Sequence, residues 1–516
     1  MAKARSEDLF QLIKSLNSSE KRYFKLFASS NDTGNESKFV RLFDELEKQE
    51  VLDEDVILRN HPDFKPQQLS NLKAHLYKKI LQSLRQFCSQ SVIDIQIREM
   101  ISHAQILYNR SLYQQCGKLL EKARKLSFKS DNQELIMEVL KWEKQLFSQA
   151  GGRNNEKRVN IILQQVREVN GRIYKVNSFS NLAVKLNSLY RRMGVVRKEE
   201  EFEMVRDLFV KSMPEYTENE LSFSEKLNLY QLMVGYYFFI QDYENGYHYA
   251  RKWVELFGNS RELISTRLDM YIRSLNSLMI AQYKLMKHSE LVQTKSVLKA
   301  VRKYPAVLLN QNIRQKITKY TYVHEFNVIF MRGNFSRGVA LFERIKSHLE
   351  YFISTIDDHS RIIFYFKVAC LYFGNNDFSE SLKWLNRIIN TEDKELRRDI
   401  HCFSRIMALV AHYELDNSDI IDYYVRSTYQ FLLKMNDLHN FQQLILSFLK
   451  KLTLNLSERE LLREFILLKD NLLKLEQNKY EKRAFVYFDI ISWLESRIQR
   501  KPVQEIIKSK SLKLIS

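Results

Sequence analysis

Proline and glycine are scarce in this chain, with 5 and 12 among 516 residues. Both counts lie far below average usage, so few turns interrupt regular structure. Cysteine is scarcer still. Cys88, Cys116, Cys370 and Cys402 stand apart with no CxxC pair, which fits reduced thiols in a cytosol rather than a disulfide framework. The opening MAKARSEDLFQLIKSL lacks the apolar run of a signal peptide. The most apolar window, Leu232–Ile240, is under half of the roughly 20 residues that span a bilayer. A soluble, cytoplasmic protein is expected.

Signatures of chemistry are equally thin. A phosphate-cradling loop needs glycines for close backbone approach. The one glycine pair, Gly151-Gly152, runs into Arg153-Asn154-Asn155 without a GK[ST], and neither GxGxxG nor GxSxG occurs; the pair reads as a hairpin turn. Metal ligands on one helical face fall at i, i+3 or i+4. The eleven histidines are scattered, and His401 and His412 on one helix would stand about 16 Å apart. Asp357-Asp358-His359 reads as a helix cap. No cofactor, no metal and no catalytic residue is assigned, and a non-enzymatic protein is expected.

What remains is 45% hydrophobic and 28% charged, a foldable composition. The chain is too long for one compact core and suits several domains or an extended array. Arg361–Asn390 is its clearest stretch. Tyr365, Val368, Ala369 and Tyr372 mark one face of a helix. The polar break Gly374-Asn375-Asn376-Asp377 follows, and then a second helix with Leu382, Leu385 and Ile389 on its stripe. Trp384 and Ile388 flank that stripe, and small Ser381 sits at a point of close approach. The pattern returns along the chain, with breaks near Leu112, Arg153, Val196, Tyr243, Leu291, Phe335, Phe378, Asp419 and Ser457. Spacings of about 38–48 residues mark stacked helical hairpins, since one hairpin cannot bury its own apolar face.

With its aromatic Phe378 and small Ser381, this unit resembles a tetratricopeptide-repeat hairpin. Phe335/Gly338, Tyr243/Gly246 and Tyr113/Cys116 repeat the arrangement. Two departures stand out: the period exceeds that family's 34, and the unit-ending proline is missing. SEKRYFKLF (Ser19–Phe27), YVRSTYQFLLK (Tyr424–Lys434) and YFDIISWLESRI (Tyr487–Ile498) resemble segments of an uncharacterised Bacteroidetes family of long tetratricopeptide-like proteins. That resemblance implies an all-helical array in a bacterial cytoplasm and brings no activity.

The expected fold is therefore all-α: an α-solenoid of tetratricopeptide-like hairpins behind an amino-terminal helical cap. Residues 1–95 form the cap, 96–477 the array, 478–499 a closing helix and 500–516 a basic tail that frays. Asn17/Glu20, Thr217/Glu220 and Ser457/Glu460 have capping-box spacing at helix starts. His61–Pro66 breaks the chain before a basic helix, Gln67–Phe87, with Lys73, Lys78, Lys79 and Arg85.

Two partner classes follow. First helices line the concave side of such an array, so Gln105, Tyr108, Gln231, Phe238, Asn327, Phe330, Cys370 and Phe373 face into it. Amides and rings suit a protein segment or helix, although Arg361–Phe373 is apolar nearly all round, which favours burial. The rival is a nucleic-acid-associated or transcription-regulatory protein that uses two basic stretches and the basic helix Gln67–Phe87. The net charge is +19. Leu291–His324 holds Lys295, Lys299, Arg302, Lys303, Arg314, Lys316 and Lys319 and no acid, while residues 153–198 hold eleven basic side chains against Glu156 and Glu168. Phosphates would take such charge. A solvated face is the plainer reading.

Overall fold

The computed structural model describes the chain apart from residues 1, 31–35, 90–91, 151–155, 197, 309, 436–438, 452–455, 478–488 and 516. The protein is all-α and 85% helical, with no strand among the described residues. The chain opens with α1 (Ala2–Ser15), α2 (Ser18–Ser30), α3 (Glu36–Lys48), α4 (Glu54–Asn60) and α5 (Pro66–Ser89). The signals for these helices are local. Asn17 and Glu20 exchange side-chain to backbone bonds of 2.8 and 3.0 Å, a capping box with Asn as the cap. Asp53 caps α4, and Pro66 occupies the first position of α5, where its missing N–H costs nothing. These helices enclose a core of their own, including Leu9, Ile13, Phe24, Leu42, Phe43, Leu76 and Ile80.

Next come α6 (Ile93–Asn109), α7 (Tyr113–Ser130), α8 (Gln133–Ala150), α9 (Glu156–Met193) and α10 (Glu199–Ser212). They lead to α11 (Phe223–Phe239), α12 (Tyr243–Gly258), α13 (Leu268–Lys284), α14 (His288–Val301) and α15 (Pro305–Leu308). The last ten are α16 (Gln311–Arg332), α17 (Phe335–Thr355), α18 (Asp358–Gly374), α19 (Phe378–Ile389), α20 (Arg398–Glu414), α21 (Ser418–Lys434), α22 (Asn440–Lys451), α23 (Glu458–Glu476), α24 (Ile490–Gln499) and α25 (Val503–Ile515). Helices pack mostly on their sequence neighbours, in a manner consistent with stacked pairs. First helices also touch the next first helix, α16 to α18, α18 to α20 and α20 to α22.

Seven of the pairs close in the same way. A left-handed residue ends the first helix at Ser111, Gln241, Met286, Gly333, Asn376, Asp416 or Arg500. The following N–H then donates to the carbonyl five residues back, at 2.8–3.2 Å, as in Leu112 to Leu107, Asp377 to Tyr372 and Lys501 to Ser496. This is the 6→1 bond of a Schellman cap, which satisfies one orphan carbonyl and reverses the chain. Asp242 and Asp377 then cap the second helix. Six of the seven left-handed positions are not glycine, each carrying about 1 kcal/mol or more of strain that packing must offset.

Gly333 shows why one is. A Cβ there would stand 2.9 Å from the Lys508 nitrogen and 3.0 Å from the Gln504 carbonyl oxygen, because α25 lies directly on that turn. Ser336 Oγ donates to Gln504 Oε1 at 2.7 Å, across 168 residues of sequence. The basic tail expected to fray is thus a helix docked on α16 and the start of α17. Gly333→Val is expected to destabilise this dock by about 2 kcal/mol. Hydrogen exchange should show Val503–Ile515 losing protection while α16 keeps its own. Unchanged protection of α25 would refute the contact.

Other differences are local. α9 runs unbroken for 38 residues, serving two expected hairpins at once. Gly171 is its one weak residue, and nothing packs within 4 Å of the Cβ position there. The capping box expected at Thr217 lies at Ser222/Glu225, because a 3₁₀ turn at Glu218–Glu220 takes up the earlier acids. The break near Leu291 falls at Leu285–Lys287. The break near Arg153 lies outside the described residues, as does the start of the expected closing helix.

Candidate functional site

The close-approach positions seat second helices closely against first helices. Ser381 is fully buried and its Oγ donates to the Ala369 carbonyl at 2.9 Å. A Cβ on Gly338 would strike Leu371 and Ile329, and one on Gly246 would stand 2.6 Å from the Phe238 ring. Held this way, α13, α16 and α18 bring four polar side chains into one chain of hydrogen bonds. Lys367 Nζ donates to Asn327 Oδ1 at 2.6 Å. Asn327 Nδ2 meets His324 Nδ1 at 3.1 Å, and His324 Nε2 meets Asn276 Oδ1 at 3.0 Å.

The direction of this chain follows from its ends. Lysine only donates, so Asn327 presents oxygen to it and its amide N–H to His324. His324 then accepts at Nδ1 and donates from Nε2, the neutral tautomer with hydrogen on Nε2. His324 is 0% exposed and Asn327 3%. Burial, with the charges of Lys367 and Lys295, pulls the His324 imidazole down to about 3. Protonation would also set two N–H groups against each other at Nδ1.

Lys367 is the charged end of this chain. Its ammonium lies 5.4 Å from the Phe330 ring centroid and 5.6 Å from that of Tyr283. Burial lowers its pKa to about 8, Cys370 opposing the shift and Arg397 adding to it. The Cys370 thiol is pushed up to about 12, chiefly by burial, and burial raises Tyr283 as well. Lys367, Tyr283 and Cys370 are ringed by protein yet keep part of their surface open. No carboxylate lies within ion-pair reach of Lys367 among the described residues. Burying a cation without a counter-charge is costly; the Asn327 oxygen and the faces of Phe330 and Tyr283 offset part of that cost.

The expected inner-face residues separate into groups. Asn327, Phe330 and Cys370 gather around Lys367. Phe330 stacks at 5.8 Å on Phe335 and at 6.4 Å on Phe326. Phe373 is buried at 3% with its ring 5.1 Å from Phe378, so its surface is spent on the core. Phe238 is half-buried over Gly246 and 5.9 Å from Tyr243. Gln231 is half-buried, Gln105 is exposed, and Tyr108 meets Tyr113 and Trp142 edge-on. Sequence reasoning missed Asn276, Tyr283, His324 and Lys367. The signal was present: Lys367 is the only charged residue in Ile362–Phe373.

The two basic stretches also differ. Lys295, itself 8% exposed, pairs with Glu325 at 3.0 Å, and Lys299 reaches the same carboxylate at 3.6 Å. Lys316 pairs with Asp269, and Lys319 with Asp357 at 3.8 Å. Arg302 donates to Thr318 Oγ1 at 3.3 Å and, with Lys303, follows α14 rather than lying on it. Arg314 is half-buried on α16. Acids from outside Leu291–His324 thus answer four of its seven cations. In the basic helix α5, Lys73 pairs with Glu54 at 2.6 Å.

Among the described residues no group of three or more His, Cys, Asp or Glu is placed to hold a metal ion. None of the described helices is long and apolar enough to cross a membrane. No known protein family matches the chain, and no curated protein does.

Proposed function

We propose that the protein is a non-enzymatic scaffold, an α-solenoid of tetratricopeptide-like hairpins that takes a segment of another protein along its concave face. The observation carrying this reading is the Lys367 cation, enclosed, held by the Asn327–His324–Asn276 chain and unanswered by any described carboxylate. An acidic side chain or terminal carboxylate of the partner supplies the missing charge, and Tyr283 and Phe330 supply apolar area beside it. Stacked helices present these groups preorganised, which lowers the entropic cost of capture. The four free cysteines suit a reducing compartment such as the cytoplasm.

The test places a photo-crosslinking benzoylphenylalanine at position 330 in cells, with and without Lys367→Met. A charge-assisted hydrogen bond is worth about 1.5–3 kcal/mol, so the variant should lose tenfold or more of its specific adducts. Its thermal midpoint should fall modestly, because the buried Asn327 Oδ1 loses its donor, so adducts are compared at a temperature where both proteins are folded. Adducts unchanged by Lys367→Met, or none at all from position 330, would defeat this reading.

A further inference from the structure

The outward face of α9 carries charge of a different kind from the paired lysines of α14 and α16. At about 100° per residue, Arg167, Tyr174, Asn181, Lys185 and Arg192 fall on one narrow stripe, and all five are exposed. The stripe runs about 37 Å along a single unbroken helix. No Asp or Glu occurs from Val169 to Lys198. The nearest acid, Glu168, lies about a third of a turn away and accepts from Gln164 at 2.9 Å. Cations on the flank are spent inside the fold: Lys175 faces Glu225 at 3.8 Å, and Arg172 lies near the half-buried Asp131. Arg167, Lys185 and Arg192 have no carboxylate within ion-pair reach among the described residues.

Tyr174 sits among them with 70% of its surface open. A tyrosine gains nothing by standing in water between cations, but its ring can stack on a base while neighbouring cations meet phosphates. Asn181, Asn170 and Asn177 flank it, all exposed, and add neutral donors for a sugar–phosphate backbone. We propose that this face of α9 binds single-stranded nucleic acid, with Arg167, Lys185 and Arg192 on phosphates and Tyr174 stacked on a base. The surface is separate from the Lys367 site, and the two proposals stand or fall independently.

Fluorescence anisotropy with labelled 30-mer oligo(dT) and oligo(rU) tests it on the full chain. Three phosphate contacts give a slope of about −2 for log K against log salt on single strands. The triple variant Arg167→Ser, Lys185→Ser, Arg192→Ser should bind more than thirtyfold more weakly at low salt, with the slope near zero. Tyr174→Ala should lose roughly tenfold with the slope unchanged, a separation that charge attraction alone does not produce. Arg167→Lys with Arg192→Lys should bind like the parent. Absence of binding at low salt, or parental binding by the triple variant or by Tyr174→Ala, overturns the proposal. Capture of anionic phospholipid vesicles without oligonucleotides would reassign the stripe to a membrane surface and equally overturn it.

Discussion

Trp493→Ala should loosen the carboxy-terminal half of the protein by about 3–5 kcal/mol and leave the amino-terminal helices as they are. Trp493 is 1% exposed. Its ring lies 5.7 Å from Phe465, 6.3 Å from Tyr413 and 6.5 Å from Phe448, so one side chain of α24 ties together α20, α22 and α23. Its indole N–H also donates to Glu414 Oε1 at 2.5 Å. Only 2% of the Glu414 side chain is exposed, and Arg497 is its other partner. Truncation would therefore open a cavity and strip a donor from a buried carboxylate, two costs that add. A chain of this length does not unfold in one step, so the effect must be read locally. Hydrogen exchange should accelerate by two to three orders of magnitude in α20, α22, α23 and α24. Peptides of α1–α5, which share a separate core, should exchange at the parental rate. Uniform acceleration, or none, would contradict the packing described.

The hairpins were legible because their apolar faces repeat. Breaks expected near Leu112, Tyr243, Phe335 and Phe378 coincide with turns whose left-handed residues are Ser111, Gln241, Gly333 and Asn376. The turns themselves were less so. Met286 takes a left-handed conformation that side-chain preference disfavours, and the break expected near Leu291 fell earlier because packing on both sides, not turn chemistry, decides it. α9 hid its continuity, since the expected breaks near Arg153 and Val196 bracket it and the stretch between them reads as parts of two separate hairpins. The terminal helix was missed for a related reason: a short basic amphipathic tail has no partner until the fold brings Gly333 beneath it.

The site was half legible. Asn327, Phe330 and Cys370 followed from counting along first helices, whereas Lys367 lies inside a stretch that reads as apolar nearly all round. Charge was the poorest guide. Leu291–His324 is acid-free in sequence, yet Asp269 and Asp357 come to it from elsewhere in the chain and Glu325 from just past its end. Arg167, Lys185 and Arg192 of α9 keep their charge because no carboxylate among the described residues comes within ion-pair reach of them. A linear count cannot tell these cases apart.

Buried histidines should make this protein acid-sensitive well before its carboxylates titrate. His324 is pulled down to about 3 and His401 to about 4, both mainly by burial; Lys394 and Arg405 add to the shift at His401, with Asp399 opposing. His401 is 1% exposed and its Nε2 has no hydrogen-bond partner. An unfolded histidine titrates near 6.5. Folded-state values below that mean the unfolded chain binds the extra protons, so stability is complete above about pH 6.5 and is lost as pH falls toward 4. Each imidazole contributes up to about 1.4 kcal/mol per pH unit, and the pair together should cost roughly 3 kcal/mol between pH 6.5 and 5. Urea midpoints monitored in the α16–α20 region should fall across that window. His324→Gln should lower the midpoint at every pH but reduce its pH slope by about a third, because glutamine cannot take up a proton there and desolvation also pulls His359 down to about 4. A slope that survives in the triple variant His324→Gln, His359→Gln, His401→Gln would place the titrating groups elsewhere, and a slope unchanged by His324→Gln alone would remove support from the inferred polarity of the Lys367–Asn327–His324 chain.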